Sequence, residues 1–214
     1  MKPTVLDLFC GAGGAGEGYR RAGFEVMGVD IEHHNYPCGT FEQADAMDVL
    51  RAVVAGGNGV DVIHLSPPCQ AFTNAQRIQG NTHPDYISAC RPLLEEWVDG
   101  GGVYVMENVV GAPLIDPMML CGAMFGLRTY RHRLFESNVL LDTPSHPEHV
   151  AKNAKMGRPV KDGEFMHIVG NYSGVGLARE IMDTPWMTRN EMSEAIPPAY
   201  TEYIGRQIMK KVAA

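Results

Sequence analysis

No run of about 18 consecutive apolar residues occurs in the 214-residue chain, so no transmembrane helix and no membrane partner are expected. Paired cysteines are also missing. Cys10, Cys38, Cys69, Cys90 and Cys121 are odd in number, widely spaced and without a CxxC, which makes a poor disulfide framework and fits a reducing compartment. His33-His34 followed by Cys38 lacks a second ligand pair at zinc spacing, so no metal is expected. Met1-Lys2-Pro3-Thr4 leads straight into a strand-like run without a secretory pattern, and a cytoplasmic location is expected. An overall basic balance is absent too: the formal charge is -7, unlike most nucleic-acid binders. Net charge does not exclude a local patch, and Lys152, Lys155, Arg158 and Lys161 cluster in one segment with few acids. A solvated loop explains that cluster as well as phosphate contact does.

What is present is apolar material for a sizeable core, 45 % of residues, in a length that suits one domain or one domain with a small appendage. Thr4 to Phe9 reads as a buried strand and Glu17 to Ala22 as a helix stopped at Gly23. Further strands are expected at Val26–Val29, Val60–Leu65 and Val103–Met106. Ser88 to Val98 has helical spacing, with Ile87, Leu93, Leu94 and Trp97 on one face. This alternation predicts an α/β fold, a parallel sheet with helices on both faces. After about Asp142 the pattern breaks up. Pro144 to Gly163 reads as an irregular excursion, Met166 to Val169 as a return strand, and Arg189–Ala195 and Tyr200–Val212 as helices separated by Pro197-Pro198.

Gly11-Ala12-Gly13-Gly14-Ala15-Gly16 matches G-x-G-x-x-G between a strand and a helix, and Asp30 ends the next strand about 20 residues on. Glycines let the backbone approach a ligand, and the carboxylate can grip a ribose diol. Adenosine-containing ligands of several kinds use this geometry. Asp45, in Ala44-Asp45-Ala46, can accept a hydrogen bond from an adenine amino group.

Ser66-Pro67-Pro68-Cys69-Gln70 follows the strand at Val60–Leu65, on the sheet edge where open α/β folds bind ligands. The two prolines stiffen that approach. A free cysteine is more often a small buried hydrophobe, which suits Cys10, Cys38, Cys90 and Cys121; position singles out Cys69. Glu107 ends the next strand on the same edge and would otherwise be an awkward charge beside the core. Arg131 and Arg133 stand at period two and face one way if extended, either as a functional pair or as solvated edge residues.

Together these segments resemble the cytosine C5 DNA methyltransferase family. Asp7-Leu8-Phe9-Cys10-Gly11-Ala12-Gly13-Gly14 is similar to its cofactor loop, and Pro67-Pro68-Cys69-Gln70 to its nucleophile motif. Glu107-Asn108-Val109 is similar to its carboxylate motif, Arg131-His132-Arg133 to half of its Gln-x-Arg-x-Arg motif, and Ile196-Pro197-Pro198 with Tyr203-Ile204-Gly205 to its closing helix. Three departures stand out. Thr129 replaces Gln, Glu194-Ala195 replaces Gly-Asn, and the segment between the arginines and the last helix is much shorter than usual, a compact form that points to a phage or mobile element.

The resemblance implies a Rossmann-like class I methyltransferase sheet with a small irregular target-recognition insertion. Its expected parts are a catalytic and cofactor-binding domain over 1–140, a minimal recognition segment over 141–188, and C-terminal helices over 189–214. It implies S-adenosylmethionine as cofactor, bound by Phe9, Gly11, Ala12, Gly13, Gly14, Asp30, Ile31, Asp45, Ala46 and Pro67. Cys69 would attack cytosine C6, Glu107 would hydrogen-bond N3 and the amine, Arg133 would hold O2, and Arg131 would support Glu107 or the loop. The base must be flipped to be reached. Gln70, Phe72, Gln76 and Arg77, with the basic cluster Lys152, Lys155, Arg158 and Lys161, would contact double-stranded DNA, the protein acting as a monomer. A tRNA cytosine methyltransferase and a catalytically silent nucleic-acid-binding relative are the alternatives. A nicotinamide oxidoreductase would leave the thiol and the arginines unexplained.

Overall fold

A computed structural model describes residues 2–56, 59–68, 84–155 and 157–212. In chain order it runs β1 (Thr4–Leu8), α1 (Gly14–Ala22), β2 (Glu25–Asp30), β3 (Thr40–Gln43), α2 (Ala46–Val54), β4 (Val62–Leu65), α3 (Tyr86–Asp99), β5 (Val103–Asn108), β6 (Met118–Leu120), a 3-10 turn (Gly122–Phe125), β7 (Arg133–Ser137), α4 (Val175–Met182), α5 (Arg189–Glu194) and α6 (Pro198–Val212). The strands form one sheet in the order β3-β2-β1-β4-β5-β7-β6. β7 runs antiparallel to both its neighbours, and the other strand pairs are parallel. Strand order reverses between β1 and β4, so the crevice beyond their carboxyl ends is the place for a ligand.

Because side chains alternate along a strand, β1, β2, β4 and β5 each feed two cores. Val5, Val26, Val62, Val103 and Val105 pack with Tyr19 of α1 and with Tyr200, Ile204 and Ile208 of α6. Leu6, Leu8, Val29, Ile63, Leu65 and Met106 face the other way, against Met47 and Leu50 of α2 and Ile87, Cys90 and Leu94 of α3. A third cluster lies beyond the sheet, where Met166, Ile168 and Tyr172 join Ala178, Ile181, Met182, Met187 and Met192. Close approach of α1 and α6 depends on Gly18, where a Cβ would collide with Thr201 Oγ1 and the Pro198 carbonyl. No helix among the described residues is long and apolar enough to cross a membrane.

Some sequence expectations need correction. Phe9 has a φ of 57°, so the chain turns away after Leu8 and the first strand is one residue shorter than expected. Met166 to Val169 is not a strand. The Met166 N–H is used by the Arg128 carbonyl (2.7 Å) and the Ile168 carbonyl by the Arg131 guanidinium (2.6 Å), which leaves no ladder to join. Only Arg133 lies in β7. Arg131 has a φ of 21°, so the two arginines do not share one extended face.

Candidate active site

The turn from β1 into α1 is made by residues with left-handed backbone: Phe9, Gly11 (φ 49°) and Gly13 (φ 84°), the last capping α1. A Cβ at Gly11 would meet nothing within 4 Å, so this glycine borders open space at the switch point. Asp30 grips the same loop. Its Oδ2 accepts the Gly11 N–H (2.8 Å) and its Oδ1 the Glu32 N–H (3.0 Å), and each oxygen keeps a lone pair for a further donor. Ile31 beside it is exposed. Phe9 leans on Tyr86 with ring centroids 5.5 Å apart. The exposed Asp45 caps α2, accepting the Met47 N–H at 2.7 Å, and Ala46 begins that helix buried. Ala12 and Gly14 are buried where the C-terminal segment closes on the loop. The Trp186 indole donates to the Ala12 carbonyl (2.7 Å), and a Cβ at Gly14 would strike the Ile196 carbonyl.

Below the loop sits Asp7, fully buried on β1. The Tyr36 hydroxyl donates to its Oδ2 (3.2 Å), while Oδ1 has no hydrogen-bond partner among the described residues. Burial is the main reason that its carboxyl is pushed up to about 7.

The second half of the site is built at the ends of β4 and β5. Pro67 is buried, and its carbonyl accepts the Asn108 side-chain N–H at 2.9 Å, which pins the Pro67-Pro68 turn to the end of β5. Cys69, Gln70, Phe72, Gln76 and Arg77 lie outside the described residues; Cys69 directly follows the pinned turn. Glu107, the residue before Asn108, is buried. Arg133 Nε stands 2.9 Å from Glu107 Oε1, yet off the line a hydrogen bond needs, so Oε1 is without a hydrogen-bonded partner among the described residues. Burial raises the Glu107 carboxyl above its ordinary value, opposed by Arg133, the Ser66 hydroxyl and Arg131.

Arg131 has a different setting. Its guanidinium donates to the carbonyls of Ile168 (2.6 Å) and Ser193 (2.8 Å), and its own carbonyl accepts the Tyr200 hydroxyl (2.7 Å). Burial, with Arg133 nearby, lowers it to about 9. Of the basic cluster, Arg158 is spent on Glu164 through two hydrogen bonds, 2.8 and 2.6 Å; the same carboxylate accepts the Lys161 backbone N–H, which leaves the exposed Lys161 ammonium out of that contact. Lys152 and Lys155 are exposed.

Two groups were not singled out from sequence. Asn108 lay within the Glu107-Asn108-Val109 motif but was read only as a neighbour of the acid. Behind Glu107 runs a buried relay: the Tyr19 hydroxyl lies 3.1 Å from His64 Nδ1, and His64 Nε2 lies 3.0 Å from Ser66 Oγ. Burial lowers His64 to about 3, so it is a neutral link. Only the polar His64 inside an apolar strand hinted at it.

No family model matches the chain. It is 33% identical over 121 residues to the Type II methyltransferase M.AgeI of Thalassovita gelatinovora, and 38% over 127 residues to M1.HphI of Haemophilus parahaemolyticus. These matches cover 50% and 51% of the chain but 28% and 33% of the relatives, so the chain spans about a third of their length. It is also 28% identical over 122 residues to the tRNA (cytosine(38)-C(5))-methyltransferase of Spodoptera frugiperda, covering 52% of the chain and 36% of the relative. Among solved structures, a prophage-encoded E. coli protein assigned as a DNA modification methyltransferase superposes over 99% of this chain and 100% of its own. The TM-score is 0.68 at 16% identity. The chain has the α/β, Rossmann-like methyltransferase fold.

Proposed function

We propose that the chain methylates cytosine C5 in double-stranded DNA, using S-adenosylmethionine. The observation that carries this reading is Glu107. It is a buried carboxyl biased toward its protonated form, with one oxygen lacking a hydrogen bond among the described residues, beside an arginine and near the turn that precedes Cys69 in sequence. The loop fits an adenosyl group. Gly11 borders open space, the Asp30 oxygens have acceptor capacity for a ribose diol, and Phe9, Ile31 and Asp45 stand around the strand ends for an adenine. When bound, S-adenosylmethionine supplies the methyl group from its sulfonium to C5.

The residues of the chain prepare the base. In this reading the Cys69 thiolate adds to C6 and breaks the conjugation of the ring, which makes C5 enamine-like. Glu107, protonated, donates to N3 and accepts from the exocyclic amine, so charge that builds on the ring as C6 is attacked is met by a proton. Arg133, already at the Glu107 carboxyl, faces the pyrimidine O2. Arg131, holding the carbonyls of Ile168 and Ser193, acts by positioning the chain behind Arg133. Loss of the C5 proton then expels the thiolate and restores the ring. The 141–188 segment would meet the DNA with the exposed Lys152, Lys155 and Lys161, whereas the Arg158 guanidinium is engaged with Glu164. The protein would act as a monomer on a flipped base.

The test is methyl transfer from labelled S-adenosylmethionine to DNA and to tRNA, with wild type and Cys69→Ser. Label in DNA that disappears in the variant, with cofactor binding retained, is the expected result. Label in tRNA alone would favour the second reading, which the similarity to the Spodoptera enzyme supports. Undiminished turnover by Cys69→Ser would refute the thiol mechanism.

A further inference from the structure

Four side chains converge beyond the end of β6 and the start of β7, and the proposed methyl transfer uses none of them. Cys121 directly follows β6, and His132 stands between Arg131 and Arg133. His146 and His149 come from the irregular excursion. One ligand atom from each lies within 4.8 Å of all the others. Cys121 Sγ is 3.4 Å from His149 Nε2, and His132 Nε2 is 3.3 Å from His146 Nε2. We propose that Cys121, His132, His146 and His149 form a tetrahedral zinc site that fastens the excursion to the sheet edge.

Two of the spacings are those of a coordination sphere. Zn–N bonds of about 2.05 Å and a Zn–S bond of about 2.3 Å at the tetrahedral angle put neighbouring nitrogens about 3.3 Å apart, and sulfur about 3.6 Å from nitrogen. The two close contacts match those edges. As a direct hydrogen bond, the His132–His146 approach is longer than the usual N–H range. The donor set also fits the metal, since one thiolate and three imidazoles suit zinc, and four protein ligands leave no open position, as in a structural site. Zinc displaces the Cys121 proton to solvent, leaving a thiolate and three neutral imidazoles around the ion.

Local structure supplies both the support and the need. The Tyr130 ring stacks on His149 at 3.7 Å between centroids, and the Tyr130 hydroxyl donates to the Ala151 carbonyl at 2.8 Å, fixing the ligand-bearing stretch. Between Asn138 and Gly174 the described residues contain no helix and no strand, only an isolated bridge between Asn153 and Phe165. A metal cross-link gives such a segment the rigidity that backbone pairing does not. Only His146 and His149 are close in sequence, and the set lacks zinc-finger spacing, which explains the contrary expectation from the sequence.

The experiment is metal analysis of the full chain purified without chelator, followed by replacement with Co2+. About one zinc per chain is expected, and the cobalt form should show thiolate-to-metal charge transfer with strong tetrahedral d–d bands. His146→Ala and His149→Ala alter exposed ligands, and each should weaken zinc binding by at least tenfold, the lower scale for losing one contributor to a metal site. Cys121→Ser should abolish the charge-transfer band. Failure of the wild type to retain zinc or to take up added Zn2+ would overturn the proposal. So would a cobalt spectrum without charge transfer, or variants that bind zinc as well as wild type.

Discussion

A carboxyl that must meet developing charge on a base needs a proton near neutral pH, and Glu107 obtains that bias from burial while Arg133 pulls against it. Glu107→Gln keeps the shape and removes the exchangeable proton. Single-turnover methylation should slow by at least ~100-fold, the lower scale for acid–base assistance; an unchanged rate would remove Glu107 from the chemistry. Asp7 tells a related story about stability. Its carboxyl rises from 3.8 to about 7 on folding. Between those values the folded protein holds a proton that the unfolded chain has released, so stability falls as pH rises through this window and stays lower above it. Asp7→Asn should therefore raise the melting temperature at pH 8, with a gain bounded by roughly 4 kcal/mol that shrinks toward zero near pH 4. A pH-independent difference in paired thermal melts would assign the effect to something other than this proton.

At the scale of elements, α1 and α6 lie so close that a methyl group at Gly18 has nowhere to go, because the Pro198 carbonyl blocks it as well as Thr201. Gly18→Ala trades a better helix former for a displaced helix, and overpacking should prevail by about 1–3 kcal/mol. Thermal unfolding should then start roughly 2–10 °C lower; a stabilised variant would mean that α6 yields easily. Which elements were legible follows from how each is stabilised. β1, β2, β4 and β5 are mostly apolar runs, and α3 has a plain helical stripe, so composition and period revealed them. β3 is four largely exposed residues and β6 only three, too short for any period. α2 was hidden because Asp45, its cap, was read for ligand binding instead of as a start signal. α4 starts at Gly174 with no capping side chain to announce it.

Across the whole molecule, the loop, the Pro67-Pro68 turn and Glu107 were legible because they are local motifs at strand ends, which the topology then gathers on one edge. Arg131 was singled out as well, but its partners Ile168 and Ser193 were not, since they are fixed by tertiary contact and nothing nearby in sequence marks them. The histidine ligands were missed for the same reason. The short 141–188 segment proposed to meet the DNA offers few side chains to read base edges, and direct readout takes about one bidentate contact per base pair. Bisulfite sequencing of DNA methylated by the pure protein should therefore reveal a site of about two or three base pairs; a long, strict consensus would contradict this.

The strap between Trp186 and the Ala12 carbonyl, with Thr201 donating to the Ala15 carbonyl, joins partners 174 and 186 residues apart. On the ribosome, α1 is made early and must wait for α6 before its apolar face is covered. During that delay the nascent chain carries an open core, the interval in which aggregation competes and chaperones act. Such long-range closure also slows folding, so growth temperature and translation rate become levers on how much native protein a cell recovers.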